Sequence, residues 1–270
     1  MRPCINQDTL RTTETSRFLE VARSSGFDSV EFTMDKLDEY LQEHSADELK
    51  SLLVETNLEA VSINGPENFS FRTEQELLPI LERTKRMSRV CTTINCPMLI
   101  AVPSFVKENK SHDEIVSETA KSLKRVIDAC DSGIKVGLEF LGIRNCSVAD
   151  LSTATEVVRK VGGDRVGLII DTFHVYLSRA TSADLTRIPF RELFLVHIND
   201  SEQLPIEQLA DGNRVFPGEG VIDLEGYIKA LSSIGYDEFL SVELLREQYW
   251  TEDPLKIAIR ARRSLDRYLS

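Results

Sequence analysis

Histidine and cysteine are both scarce here, with four and five copies in 270 residues. The cysteines (Cys4, Cys91, Cys96, Cys130 and Cys146) are odd in number and never spaced Cys-x-x-Cys. Neither a disulfide framework nor a thiolate zinc site is therefore expected, and all five read as small buried hydrophobes. No stretch approaches the roughly 18 consecutive apolar residues of a membrane-spanning helix. The opening residues, Met1-Arg2-Pro3-Cys4-Ile5-Asn6-Gln7-Asp8, turn polar before a signal-peptide core can form, so a cytoplasmic protein is expected. Gly/Ser-rich linkers and low-complexity tracts are absent. No Gly-x-Gly-x-x-Gly stands between a strand and a helix, so no nucleotide cofactor is expected. Positive charge is outweighed, 32 Lys and Arg against 44 Asp and Glu, for a formal charge of -12. Such a surface repels phosphate backbones and anionic lipid, so neither nucleic acid nor membrane is an expected partner.

What remains is ordinary globular material, 41% hydrophobic and 28% charged, long enough to bury about three quarters of its unfolded surface in one core. Two domains would fit the length, but α/β barrels of this size are single units, and one domain over residues 1–270 is expected. Short runs rich in Val, Ile and Leu recur at 4–6, 29–33, 60–64, 97–102, 134–141, 166–171, 193–199 and 239–244. Stretches of helical period separate them. Eight strands alternating with helices predict an α/β fold, a closed (β/α)8 TIM barrel.

The helices carry their own boundary signals. Ser45-Ala46-Asp47-Glu48, Thr73-Glu74-Gln75-Glu76 and Ser111-His112-Asp113-Glu114 each read as a capping box. Val116, Ala120, Leu123, Ile127 and Cys130 recur at helical spacing as a buried stripe. Asp223, Leu224, Tyr227, Ile228, Leu231 and Ile234 do the same, with Gly235 placed to end that helix in the left-handed conformation. Asp253-Pro254 opens the last helix, proline being tolerated at the first helical position. The one long polar insertion, 201–220, follows strand seven, where a barrel places functional loops.

A barrel builds its active site at the C-terminal ends of its strands. Four successive strand runs lead there into ionisable side chains: Glu139, Asp171, His197 and Glu243. Any one of them alone is explained equally well as a strand-end charge in a salt bridge or facing water. Three carboxylates converging in a dry strand end, however, need a compensating cation, and a divalent metal is the simplest one. Three carboxylates and an imidazole suit Mn²⁺ or Mg²⁺, with Co²⁺ or Zn²⁺ admitted by the histidine; manganese is favoured. His174, three residues past Asp171, is placed to reach the barrel mouth as a hydrogen-bond donor, or is a surface-loop histidine. Arg214 stands in Gly212-Asn213-Arg214-Val215-Phe216-Pro217-Gly218-Glu219-Gly220, where glycines let the backbone close over a ligand. An exposed arginine is the simpler reading of that residue by itself. Asn6, Glu31 and Asn64 end strands one to three and either line the same mouth or serve caps and turns. His44 and His112 fall at helix starts and are expected to be solvated.

These residues resemble, over essentially the whole chain, the xylose-isomerase-like barrel superfamily of sugar isomerases and epimerases. The segments carrying the likeness are Gly137-Leu138-Glu139-Phe140, Ile170-Asp171-Thr172-Phe173-His174, Val196-His197-Ile198-Asn199-Asp200, the 214–220 loop and Ser241-Val242-Glu243-Leu244. Within it the chain is similar to inosose (2-keto-myo-inositol) isomerases of inositol catabolism, through Thr33-Met34-Asp35-Lys36-Leu37, Ala101-Val102-Pro103 and the spacing of Asp200 to Asn213-Arg214. The resemblance implies one divalent metal held by Glu139, Asp171, His197 and Glu243, with His174 and Arg214 contacting substrate oxygens. Glu139 and Glu243 are then the catalytic acid and base that move a proton between adjacent carbons of a small polyol ketone, through an enediolate. Gly65-Pro66-Glu67-Asn68-Phe69 and Leu245-Arg246-Glu247 depart from the expected pattern and shape the pocket. A dehydratase of 3-dehydroshikimate or inosose and a ketose 3-epimerase share this metal site, and a non-catalytic polyol-binding barrel shares the fold. The superfamily's apurinic endonucleases need many histidines, which this chain lacks.

Overall fold

The computed structural model describes residues 1–106 and 110–269. Runs of Val, Ile and Leu without helical period form strands that helices cover from outside, which is why they read as continuously apolar rather than alternating. The barrel strands are β1 (Arg2–Asn6), β2 (Ser29–Thr33), β3 (Glu59–Glu67), β4 (Met98–Val102), β5 (Lys135–Glu139), β6 (Val166–Asp171), β7 (Leu193–Ile198) and, after two short strands described below, β10 (Phe239–Val242). They close in the order β1-β10-β7-β6-β5-β4-β3-β2, each pair parallel. All eight expected strands are present, with shifted ends: β3 runs on to Glu67, and β5 stops at Glu139.

Helices α1 (Thr15–Ser24), α2 (Met34–Tyr40), α3 (Ala46–Thr56), α4 (Glu74–Ile94), α5 (His112–Ala129), α6 (Leu151–Val161), α7 (Thr172–Leu177), α8 (Ser182–Leu185), α9 (Leu224–Ser233), α10 (Glu247–Trp250) and α11 (Pro254–Leu265) fill the connections. The three expected capping boxes open α3, α4 and α5, with both reciprocal bonds formed in each. Asp253 caps α11 ahead of Pro254, and Gly235 takes φ +87° after α9. The α5 stripe is buried as expected, although Cys130 sits just past the helix as its cap. All five cysteines are buried and free, while His44 and His112 are exposed.

A second apolar cluster of Cys4, Val61, Met98, Ile100, Ile169, Leu195 and Phe239 draws on six of the strands. These residues alternate with helix-facing neighbours and fill much of the barrel interior. Among the described residues no helix is long and apolar enough to cross a membrane.

Candidate metal centre

Glu139 and Asp171 are the last residues of β5 and β6, His197 sits one residue before the end of β7, and Glu243 directly follows β10. Strand register places Asp171 opposite His197, and His197 opposite Ser241. Each of the four offers a ligand atom, those atoms lie within 4.8 Å of one another, and all four residues are buried. His197 Nδ1 is 2.9 Å from Glu139 Oε1 and 3.4 Å from Glu243 Oε2. Asp171 also caps α7, its Oδ1 accepting from the amides of Phe173 (2.7 Å) and His174 (3.2 Å). Its Oδ2 accepts from the Asn199 amide at 3.0 Å.

The long insertion after β7 folds back as a ribbon, β8 (Asp200–Ser201) pairing antiparallel with β9 (Arg214–Val215). Asp200 holds the return: its Oδ2 accepts from the amides of Gly218 (3.1 Å) and Gly220 (3.0 Å), and its Oδ1 from Ile222 (2.8 Å). A Cβ at Gly220 would collide with the Ser201 carbonyl and the Asp200 carboxylate. Gly220→Ala is accordingly expected to displace the ribbon and lower turnover by about 10- to 100-fold, as misplacing a substrate contact by an ångström does. Steady-state kinetics check this, and wild-type kinetics would show that the cradle yields without moving Arg214.

The ribbon delivers Arg214 into the barrel mouth, 2% exposed. Nη1 donates to Glu243 Oε2 at 2.6 Å and lies 3.2 Å from Asp171 Oδ2; Nη2 reaches Asp211 Oδ1 and His174 Nε2, both at 3.0 Å. The exposed-arginine reading is thus corrected: the loop folds inward because its guanidinium has buried carboxylates to meet. His174 is buried as well, which removes the surface-loop reading. A guanidinium has nothing to accept with, so His174 Nε2 accepts and its proton rides on Nδ1. That Nδ1, Arg214 Nε and Asn64 Oδ1 are buried without a hydrogen-bond partner. Burial holds the His174 imidazole below its ordinary range, against the pull of Asp171.

Asn6 fulfils both of its sequence readings. Its Oδ1 caps the turn at Asp8, while its Nδ2 donates to Glu243 Oε1 at 3.1 Å. Asn64 donates to the same oxygen at 3.3 Å, and Glu31 lies within the cluster, 3.3 Å from His197 Nε2. Sequence reasoning did not single out Asn199 as a site residue. Its signal was the strand alternation, which turns residue 199 to the same face as His197.

Four buried carboxylates, Glu31, Glu139, Asp171 and Glu243, face two cations, Arg214 and a protonated His197. Burial pushes Glu139 up to about 7, against the pull of His197. Burial acts the same way on Asp171, yet the Arg214 charge, with that of His197 and the hydrogen bond from the His174 backbone amide, holds it near 2. Burial likewise opposes the charge on His197, but Glu243, Glu31 and Glu139 drive its pKa well above the ordinary range. Four carboxylates against Arg214, with a His197 that must give up a proton to become a ligand, leave an excess of negative charge that a divalent ion reduces, and three carboxylates with one imidazole are a donor set such ions accept. The residues present therefore fit a metal.

Beside the site, Asp8 is buried against Arg11. Burial, with the charges of Glu243 and Glu67 and against that of Arg11, raises its carboxyl from 3.8 to about 6. The folded protein thus keeps this proton where the unfolded chain has lost it. The resulting stabilisation is complete below about pH 4 and disappears as pH rises to about 6, amounting to about 3 kcal/mol at most for two pH units. Asp8→Asn has no such group. Its stability relative to wild type is expected to rise by up to about 3 kcal/mol between pH 4 and pH 7. Urea unfolding in EDTA across that range measures the difference, and a constant gap between the two proteins would refute it.

A family model described as xylose isomerase-like TIM barrel matches residues 19–268. An inosose isomerase of Bacillus velezensis is 33% identical over 264 residues, covering 96% of this chain and 94% of that protein. One from Bacillus subtilis strain 168 is 34% identical over 253 residues, covering 93% and 91%. The crystal structure of the IOLI protein with a binding zinc atom superimposes with a TM-score of 0.96 at 31% identity, over 100% of this chain and 98% of that one.

Proposed function

The chain belongs to the xylose isomerase-like TIM-barrel family, and we propose that it isomerises a cyclic polyol ketone of the inosose class, as a step in inositol breakdown. One observation carries the reading: Glu139, Asp171, His197 and Glu243 converge as a buried cluster at the C-terminal barrel mouth. The inosose isomerases similar to this chain support the choice of substrate.

Those four residues would hold a divalent ion, which when bound supplies the positive charge that polarises a ketone oxygen and its neighbouring hydroxyl. Manganese suits the three carboxylates, and zinc, the ion of the IOLI structure, is admitted by the imidazole. The remaining work falls to the protein's own side chains. Isomerisation needs a base to take the proton α to the carbonyl and an acid to return one to the adjacent carbon, and Glu139 and Glu243 are the carboxylates assigned to it. Glu139 lies at the end of β5, its Oε1 2.9 Å from His197 Nδ1. Glu243 is held in place by Arg214, Asn6 and Asn64. The unpartnered Nδ1–H of His174, Nε–H of Arg214 and Oδ1 of Asn64 are two donors and an acceptor for the hydroxyls of a polyol. Moving the ketone by one carbon in this way is an internal oxidation and reduction that consumes no nicotinamide.

The test is incubation of the Mn²⁺-loaded protein with 2-keto-myo-inositol in D₂O, following carbon-bound protons by NMR beside an EDTA-treated sample. Metal-dependent loss of the α-proton signal with appearance of a second inosose is expected. No exchange by protein that holds its ion would defeat the substrate assignment, and a conjugated, ultraviolet-absorbing product would mark dehydration instead.

A further inference from the structure

An imidazole binds an ion through one ring nitrogen when its proton resides on the other, and the partner of that second nitrogen decides which is which. His197 Nδ1 faces Glu139 and Glu243. Its Nε2 is directed to Oε2 of Glu31, 3.3 Å away. Glu31 lies in the middle of β2 and is 0% exposed. Strands β1 and β10 stand between β2 and β7 in the barrel order, so this contact spans the barrel interior.

The carboxylate is itself held by its register neighbours. Ser62 on β3, paired with Glu31, donates its hydroxyl to Oε2, and Asn6 on β1 donates its amide to Oε1 at 3.5 Å. The same Asn6 amide reaches Glu243, tying this group to the four-residue cluster. Among the described residues, His197 is the one side chain in ion-pair contact with Glu31. An ionised carboxylate only accepts, so the Glu31 contact requires a proton on His197 Nε2.

We propose that Glu31 is a positioning residue that keeps the His197 proton on Nε2 and so presents the Nδ1 lone pair to an ion shared with Glu139, Asp171 and Glu243. The inference rests on the metal-site reading above and deepens it. A carboxylate buried merely to fill the core would have no such consequence, since an apolar residue of similar size would serve the barrel equally well.

Mn²⁺ alone is the probe, its free concentration followed by electron paramagnetic resonance in titrations of wild type, Glu31→Met, Glu31→Gln and Asp171→Asn. Glu31→Met is expected to bind about 10- to 100-fold more weakly, the usual cost of losing such a partner of a metal-bound histidine. Glu31→Gln keeps an acceptor in place and is expected to recover part of that loss. Asp171→Asn removes a ligand and serves as the control. If Asp171→Asn and Glu31→Met both bind as wild type does, the metal-site reading fails and takes this proposal with it. If only Asp171→Asn is weakened, the role of Glu31 alone is overturned. Imidazole ¹⁵N–¹H spectra of Zn²⁺-loaded wild type give a readout independent of how any variant folds. A slowly exchanging His197 proton on Nε2 is expected, and a proton on Nδ1 would overturn the proposal.

Discussion

Glu243→Gln is expected to lower α-proton exchange of 2-keto-myo-inositol by about 10³-fold, within the range general acid–base catalysis contributes. The substitution keeps the size of the side chain and one of its two acceptor oxygens, and removes its ability to take a proton. Arg214 is not left stranded, since Asp171 at 3.2 Å and Asp211 at 3.0 Å still face it. The variant also carries one fewer buried negative charge beside Glu139. These two effects oppose each other, and unfolding free energy in EDTA is expected to stay within about 1 kcal/mol of wild type, well short of the ~3–5 kcal/mol lost when a buried pair leaves a charge unpaired. Three of the four donors remain, so exchange is compared at Mn²⁺ concentrations that saturate both proteins. Full exchange in that variant would remove Glu243 from the chemistry and leave it a ligand only.

Removing the ion is expected to act on stability as strongly as on turnover. With four carboxylates buried against Arg214 and His197, the folded state carries uncompensated negative charge that a divalent ion relieves and that the unfolded chain disperses into water. At an ion concentration about 1,000 times its dissociation constant, linkage gives about 4 kcal/mol. For a chain of this size that is a melting temperature about 10 °C higher than in EDTA. Calorimetry of EDTA-treated protein with and without added Mn²⁺ measures the shift, and a metal-independent melting temperature would show that the four residues hold no ion in solution. The charge argument also gives the shift a direction with pH. Glu139, raised to about 7 by burial, accepts a proton below neutrality and competes with the ion, so the ion-dependent rise is expected to shrink as pH falls from 8 to 6.

Much of the fold was legible in the sequence because its signals are local. A capping box spans four residues, and those at Ser45, Thr73 and Ser111 formed as read. Eight apolar runs bounded by polar segments became eight strands. Strand ends were less exact, because the stop of β5 at Glu139 depends on where its neighbours in the closed sheet stop pairing. The four candidate ligands were legible because a parallel barrel presents all its strands' C-terminal ends to one place.

The sequence by itself determined the barrel, its helix caps and the four side chains at one mouth, since each follows from periodicity, short-range hydrogen bonds or strand direction. Tertiary structure alone decided the rest. Arg214 looked exposed in a polar loop and is buried because the ribbon anchored by Asp200 turns it onto Glu243, 29 residues away. Glu31 looked like a strand-end residue and meets His197, 166 residues away, across the barrel interior. The physical reason is the same in both cases. Whether a buried charge is tolerable depends on which opposite charge or donor closure of the barrel brings within about 3 Å, and no local pattern encodes a partner that distant.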